Sequence, residues 1–250
     1  EEAARNHEAA AARYEELGRL QGETPELCAR VGTLYRWAGK PDVALEWYMK
    51  ALRQPSTAAV SNAVVWGLTA AGVETGEPAS ALPWARQLLA NQPDDPEAVA
   101  LAIRALMRGG AAAEAVAAFD RLAALRPLTP AERLLLAGQC RSAGDADRAA
   151  AVLQALPVDE LTAEQRVERL RILTSAGDAE SAIRESEKLL ANRPGPELER
   201  ELWRKLAEMN GVLNRHEVSA GWYLKWAEGE PDAALARKAR LAAASAWRAA

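Results

Sequence analysis

A glycine followed five residues later by an alanine recurs through this sequence, and this repeat limits the possible folds more than any other feature. The pairs are Gly39 and Ala44, Gly76 and Ala81, Gly110 and Ala115, Gly144 and Ala149, and Gly177 and Ala182. With Ala10 before them and Ala220 after them, successive alanines are 33 to 38 residues apart. A period of about 34 residues predicts an array of small units that stack on their neighbours.

Each unit has the pattern of two antiparallel α-helices. A capping residue precedes a proline at three predicted helix starts: Thr24-Pro25, Asp95-Pro96 and Thr129-Pro130. Thr129 and Glu132 also have the spacing of a capping box. Apolar residues recur three and four positions apart within the predicted helices, as at Leu27, Val31 and Leu34. No alternating strand pattern competes with this, so the predicted fold class is all-α.

The dipeptide Gly39-Lys40 stands before an apolar helical pattern, as the end of a phosphate-binding loop does. The later repeats have no lysine directly after the glycine, and the other glycines of such a loop are absent. We therefore expect Gly39 to turn the chain between two helices with a positive φ angle, and we expect no nucleotide site.

The predicted core alternates small residues, where paired helices approach closely, with larger ones. The small residues include Ala44, Ala115 and Ala182, and the larger ones are Tyr48, Phe119 and Leu153, which stand four residues after Ala44, Ala115 and Ala149. Cys28 and Cys140 also fall on core-facing positions. Because they are three units apart, we do not expect them to form a disulfide with each other.

Catalytic and metal-binding chemistry is not expected from these residues. The two histidines, His7 and His216, are separated by most of the array, and repeat units touch only their neighbours. The two cysteines match no zinc-site spacing. We expect His7 to be a solvated helix residue. The chain is therefore predicted to be no enzyme and to hold neither a metal nor a cofactor.

The charge balance also bears on the partner. A formal net charge of −4 does not favour nucleic acid or an anionic membrane as the main partner. No stretch approaches the roughly 18 uncharged apolar residues of a membrane span, so direct membrane insertion is not expected. Both ends of the chain lie in helical patterns, and we expect it to be part of a longer protein.

The stretch from Pro25 to Ser56 resembles a tetratricopeptide repeat (TPR). The residues at the signature spacings are Gly32, Tyr35, Gly39, Ala44, Tyr48 and Ala51, with Pro55 near the terminal proline. The later copies keep the second glycine and the alanine but replace the first glycine with Thr69, Ile103, Ala137 and Leu170. The resemblance implies a right-handed α-solenoid whose first helices line a concave groove that binds peptides or partner proteins.

The resemblance extends over nearly the whole chain and suggests a single array over residues 1–250. The predicted parts are a partial repeat 1–24, repeats at about 25–58, 62–95, 96–129, 130–162, 163–196 and 197–231, and an unpaired helix 232–250. The spacing exceeds the family length around residues 62–95 and 201–231, which leaves the helix boundaries there open.

A narrower resemblance concerns the stretch LYRWAGKPDVALEW and the abundance of Ala, Leu, Arg and Trp. It is similar in style to the periplasmic TPR region of PelB-type bacterial exopolysaccharide exporters, and arginine outnumbers lysine. The resemblance implies a periplasmic scaffold that recruits a polysaccharide-modifying enzyme, such as a deacetylase or hydrolase, to the export pore. The alternative is a cytoplasmic TPR adaptor of a chaperone or regulatory assembly.

The resemblance also implies where a partner binds. Matching the family's concave positions to this sequence places six residues on one inner surface: Arg36, Trp37, Arg104, Arg108, Arg141 and Arg171. Arginine offers carboxylates a planar fork of donors, so an acidic peptide or protein surface is the favoured ligand class. In the alternative interpretation these arginines pair with acidic neighbours, as Arg171 would with Glu164 or Glu168.

Two further observations concern contact residues. The lysine and asparagine set with which some family members hold a C-terminal carboxylate is replaced here by Ala29, Thr33, Ala100 and Arg104, which disfavours such a clamp. Trp222 and Trp226 lie four apart on a predicted helix and are secondary contact candidates if they share an exposed face. Packing against the following helix is the alternative.

Overall fold

The computed structural model describes residues 2–156 and 161–250. These residues form fourteen α-helices and one short 3₁₀ helix, and the described part of the chain contains no β-strand. The predicted all-α fold class is therefore confirmed. The chain divides into two compact units, the N-terminal unit Glu1–Leu128 and the C-terminal unit Thr129–Ala250. The division lies beside the predicted start of repeat 130–162.

The N-terminal unit is a series of helices in which each contacts the next along the chain. Its helices are α1 (Glu2–Gln21), α2 (Pro25–Trp37), α3 (Pro41–Leu52), α4 (Ala58–Glu74), the 3₁₀ helix (Pro78–Ala81), α5 (Leu82–Asn91), α6 (Pro96–Arg108) and α7 (Ala112–Leu125). The first helices of successive repeats, α2, α4 and α6, also contact one another in order. They therefore lie side by side and form a continuous surface within this unit.

The C-terminal unit has the same alternation of first and second helices. Its helices are α8 (Pro130–Ser142), α9 (Ala146–Gln154), α10 (Ala163–Ala176), α11 (Ala179–Ala191), α12 (Pro196–Val212), α13 (His216–Gly229) and α14 (Ala233–Ala249). The last helix, predicted to be unpaired, packs on α13. No helix in the described residues is long and apolar enough to cross a membrane.

The helix starts and turns follow the local sequence signals. Thr24, Asp95 and Thr129 each accept a backbone N–H bond at the start of the helix that follows, and the capping box of Thr129 with Glu132 is formed. Gly39 has φ +76°, so it turns the chain as predicted. Gly110, Gly144 and Gly177 are also left-handed, whereas Gly76 is not. Asn214 takes the left-handed position in the turn before α13, with φ +57°.

The two long repeats have a physical explanation. Helices α4 and α12 each contain 17 residues, compared with 13 in α2, and the 3₁₀ helix is inserted between α4 and α5. Helix α4 begins at Ala58, before the predicted repeat start at residue 62, because the side chain of Thr57 caps it by accepting from the Val60 N–H. The extra turns lengthen the repeats without changing the alternation of helices.

The predicted core positions are buried. The alanines and larger residues named above are at most 1% exposed: Ala44, Ala115, Ala182, Tyr48, Phe119 and Leu153. Both cysteine thiols are buried, and burial raises the pKa of the Cys28 thiol. Tyr48 lies between two first helices, since a Cβ on Gly32 would meet its ring at 3.0 Å and one on Gly67 at 2.3 Å. The small size of both glycines thus allows α2 and α4 to enclose this ring.

Candidate functional site

The surface formed by α2, α4 and α6 contains four of the six predicted contact residues, and we call it the first-helix surface. Arg36 lies in the last turn of α2, where its Nη1 atom donates to Oε1 of Glu74 at 2.9 Å. Glu74 is the last residue of α4. Arg36 is therefore already paired with a carboxylate, but this carboxylate belongs to the neighbouring repeat and not, as the alternative interpretation expected of the arginines, to the same helix.

Arg36 also lies close enough to the buried Tyr48 to affect the pKa of its hydroxyl. The Tyr48 hydroxyl and the Thr33 hydroxyl are 2.9 Å apart and share a hydrogen bond. Burial raises the pKa of Tyr48, and the hydrogen bond with Thr33 and the nearby positive charge of Arg36 partly oppose this rise. Arg36 is thus a neighbour of Tyr48, a residue of the packed core.

Arg108 approaches the same end of α4 from the other side. Its Nη1 atom donates to the backbone carbonyl oxygen of Val73, one residue before Glu74. Carbonyls in the last turn of a helix have no partner within the helix and carry the negative end of its dipole. Arg108 therefore caps α4, which is a structural role that the sequence did not reveal.

Arg104 and Trp37 differ from these two arginines. The Arg104 side chain is exposed on α6, one turn before Arg108, and makes no hydrogen bond or ion pair with the described residues. Trp37 is 54% exposed, and its ring lies 5.3 Å from that of His7. His7 lies on a helix, as expected, and is only partly exposed. The first-helix surface thus presents the unpaired guanidinium of Arg104 and the exposed ring of Trp37.

The C-terminal unit contains the other two predicted arginines. Arg171 is exposed on α10 and its Nη1 atom lies 3.4 Å from Oε2 of Glu168, one of its two predicted partners. The side chain of the other, Glu164, lies outside the described residues. The Arg141 side chain is exposed in the last turn of α8 and makes no hydrogen bond or ion pair with the described part of the chain.

The predicted exposed face of Trp222 and Trp226 does not form. Trp226 is 8% exposed and packs with Ala227 of α13 and Ala239 of α14, and its Nε1–H donates to Oε2 of Glu230 at 3.1 Å. Trp222 stays partly exposed, with the Lys225 ammonium 4.5 Å from the centre of its ring. The alternative was correct for Trp226, because the following helix covers it.

A cleft of about 440 Å³ lies beside Trp226 in the C-terminal unit. It is lined by residues of both charges and two apolar side chains: Glu197, Arg200, Glu201, Arg204, Trp226, Glu230, Leu235 and Lys238. Glu230 is occupied by the Trp226 indole and by the Asp232 backbone N–H. Among the described residues, no three His, Cys, Asp or Glu side chains cluster as metal ligands would.

Glu74 is the site residue that sequence reasoning missed. It stands two residues before Gly76, which is the same place in the repeat as Trp37 and Arg108. Aligning the repeats on their glycines would have placed Glu74 beside the predicted arginines. Whether it contacts Arg36 or Arg108 depends on how adjacent helices are rotated, and the repeat pattern alone does not determine that rotation.

The fold has clear similarities among solved structures, although no protein-family profile and no curated protein matches the sequence. The C-terminal part of a TPR repeat-containing protein from Cytophaga hutchinsonii aligns with a TM-score of 0.68, 13% identity and 94% of each chain. A tetratricopeptide repeat protein from Parabacteroides merdae aligns with a TM-score of 0.56 and 17% identity, over 95% of this chain and 92% of its own. YrrB, described as a TPR protein with an unusual peptide-binding site, gives 0.52 and 14%, over 92% and 99%.

Proposed function

The chain has a tetratricopeptide repeat fold, and on this premise we propose that it is a non-catalytic scaffold for protein–protein interaction. The first-helix surface of the N-terminal unit would hold an acidic peptide or an acidic protein surface. The specific role proposed is recruitment of a polysaccharide-modifying enzyme, such as a deacetylase or hydrolase, to an outer-membrane exopolysaccharide export complex in the bacterial periplasm.

The observation that carries this proposal is the exposed and unpaired guanidinium of Arg104. It belongs to a surface on which Arg36 and Arg108 are both engaged at the end of α4. An arginine without a carboxylate of its own is available for a bidentate bond with one from a partner. Trp37 adds an exposed aromatic ring on α2, which is a residue type enriched at binding hot spots.

The type of fold and the style of the sequence support the rest of the proposal. YrrB, a solved structure with the same fold, is described as having a peptide-binding site. The periplasmic exporter context is supported by the resemblance of LYRWAGKPDVALEW and of the arginine-rich composition to PelB-type exporters. A partner with an acidic surface is consistent with a cationic site on a chain whose net charge is −4.

The test is affinity capture from a bacterial envelope extract with the parent chain and an Arg104→Glu variant. The matched control is Arg53→Glu, which makes the same charge change at an exposed residue directly after α3, a second helix. Far-ultraviolet circular dichroism verifies that all three proteins have equal helix content. We expect the parent and the control to retain an identified polysaccharide-modifying enzyme and Arg104→Glu to lose at least about tenfold of it.

The other outcomes are informative as well. Equal capture by all three proteins would contradict the assignment of the binding surface. Capture of cytoplasmic chaperone or regulatory proteins, with no envelope enzyme retained, would contradict the exporter role and favour a cytoplasmic adaptor.

A further inference from the structure

We propose that Glu74 is an internal competitor that occupies Arg36 and thereby sets how tightly the first-helix surface holds an acidic partner. The inference rests on the proposed function because it concerns the same surface. It assigns a role to a residue that lies on a different helix from the arginine it controls.

The contact itself has the chemistry of ligand recognition. Oε1 of Glu74 lies 2.9 Å from Nη1 of Arg36, so a carboxylate of the next repeat stands where a partner's carboxylate would bind. The Glu74 side chain is 42% exposed and that of Arg36 is 22% exposed. The pair is thus open to solvent on the side of Glu74, where a competing carboxylate can approach.

The guanidinium of Arg36 is not fully used by this pair. Its Nε atom is buried and has no hydrogen-bond partner among the described residues. A buried donor without a partner is costly, which means that Glu74 satisfies Arg36 incompletely. Because this Nε atom is buried, an incoming acidic group does not reach it and competes with Glu74 for the Nη atoms of Arg36.

Arg108 shows that the end of α4 engages both neighbouring arginines. The Glu74 carboxylate accepts a hydrogen bond from Arg36, and the carbonyl oxygen of Val73 accepts one from Arg108. Arg104, one turn earlier on α6, has no such partner. An acidic partner can therefore contact Arg104 directly, whereas it reaches Arg36 only by replacing Glu74.

The acidic residue at position 74 occurs in one repeat and is not shared by the equivalent positions of the other repeats. The residues two positions before the five turn glycines are Trp37, Glu74, Arg108, Ser142 and Ser175. Only α4 has a carboxylate there. Because the helix does not need an acid at this position, the pairing with Arg36 is a specific feature of the first-helix surface.

The first measurement needs no ligand. Phenylglyoxal modifies accessible arginines, and peptide mass spectrometry reports the modified fraction of Arg36. The variants are Glu74→Gln and the matched control Glu77→Gln, which removes the same charge three residues later from an exposed side chain that has no partner among the described residues. We expect Glu74→Gln to raise the modification rate of Arg36 about two- to fivefold and Glu77→Gln to leave it unchanged.

The second measurement is fluorescence anisotropy with a fluorescein-labelled polyglutamate peptide whose termini are blocked. We expect Glu74→Gln to tighten binding about two- to fivefold relative to Glu77→Gln, and Arg36→Gln in the same background to remove this gain. Equal affinities of Glu74→Gln and Glu77→Gln, or no binding by Glu74→Gln, would overturn the inference. The proposed function is decided separately, by the effect of Arg104→Glu on capture of the partner.

Discussion

The same layer of the repeat is apolar in the N-terminal unit and ionic in one repeat of the C-terminal unit. In the N-terminal unit, Val31 and Leu68 lie eight residues before their turn glycines, Gly39 and Gly76, and Trp47 and Trp84 lie eight residues after them. Val31 packs in one apolar cluster with Trp47, and Leu68 packs in another with Trp84. The corresponding residues around Gly177 are Arg169 and Glu185, which are 8% and 2% exposed. A buried ion pair has thus replaced an apolar contact at one position of the array.

The geometry explains how this repeat accommodates two charges. Nη1 of Arg169 donates to Oε2 of Glu185, and Nη2 donates to the carbonyl oxygen of Leu153 in the last turn of α9 at 3.3 Å. The arginine therefore connects α9, α10 and α11. Even so, the Nε atom of Arg169 and the Oε1 atom of Glu185 are buried without partners among the described residues.

The repeat pattern therefore requires a filled layer but not an apolar one. Burying two charges costs several kcal/mol of desolvation per ion, about the size of their mutual attraction. The ion pair therefore fixes how three helices meet, while adding less net stability than the apolar layer adds. Single and paired substitutions distinguish these two contributions.

The largest effect is expected from Glu185→Leu, which leaves Arg169 buried without a counter-ion. We expect the free energy of unfolding to fall by about 3 to 5 kcal/mol, measured by urea denaturation with circular dichroism. The control is Glu180→Leu, whose carboxylate forms an exposed pair with Arg215 at 3.1 Å and should contribute less than about 1 kcal/mol. Similar losses in the two variants would mean that burial is not what distinguishes the ion pair.

A paired replacement removes both charges from this layer at once. The double variant Arg169→Leu with Glu185→Val copies Leu136 and Val152, the residues at these places one repeat earlier. We expect its free energy of unfolding to return to within about 1 kcal/mol of the parent or to exceed it, because no charge stays buried. A double variant as unstable as Glu185→Leu would show that the apolar layer cannot form there.

A smaller effect is expected from Gly67→Ala in the apolar layer. The added Cβ would lie 2.3 Å from the ring of Tyr48, and we expect a loss of about 1 to 3 kcal/mol from overpacking, despite the better helix propensity of alanine. The control is Gly221→Ala in α13, where a Cβ meets no atom within 4 Å and should add up to about 1 kcal/mol. Thermal unfolding of both variants measures the difference, and a stabilised Gly67→Ala would contradict the close packing of Tyr48.

The smallest effect concerns a polar contact at the edge of the N-terminal unit. The Tyr35 hydroxyl donates to Oε1 of Glu15 at 2.7 Å, which raises the pKa of Tyr35 to about 12. Because this lies above the usual value of about 10, the contact stabilises the fold below about pH 10 and loses that contribution as the pH rises toward about 12. Urea midpoints across this range should fall more for the parent than for Tyr35→Phe, and parallel curves would contradict the assignment.

Much of the fold could be predicted from the sequence, because helix starts, turns and the repeat period are local. The caps at Thr24 and Thr129, the turn at Gly39 and the burial of Ala44 all follow from residues a few positions apart. The candidate site was predicted less completely. Its arginines were identified, but not that Arg36 and Arg108 are engaged at α4 while Arg104 is not.

The sequence by itself determined the helical repeat, the positions of its turns and the residues that fill its core, since hydrophobic spacing and capping act within a single helix or turn. The partners of the charged and aromatic side chains depend instead on how the helices pack. Arg36 and Glu74 are 38 residues apart and Arg108 and Val73 are 35 apart. Contacts one repeat away depend on the rotation of adjacent helices and on side-chain rotamers, and a repeat period specifies neither.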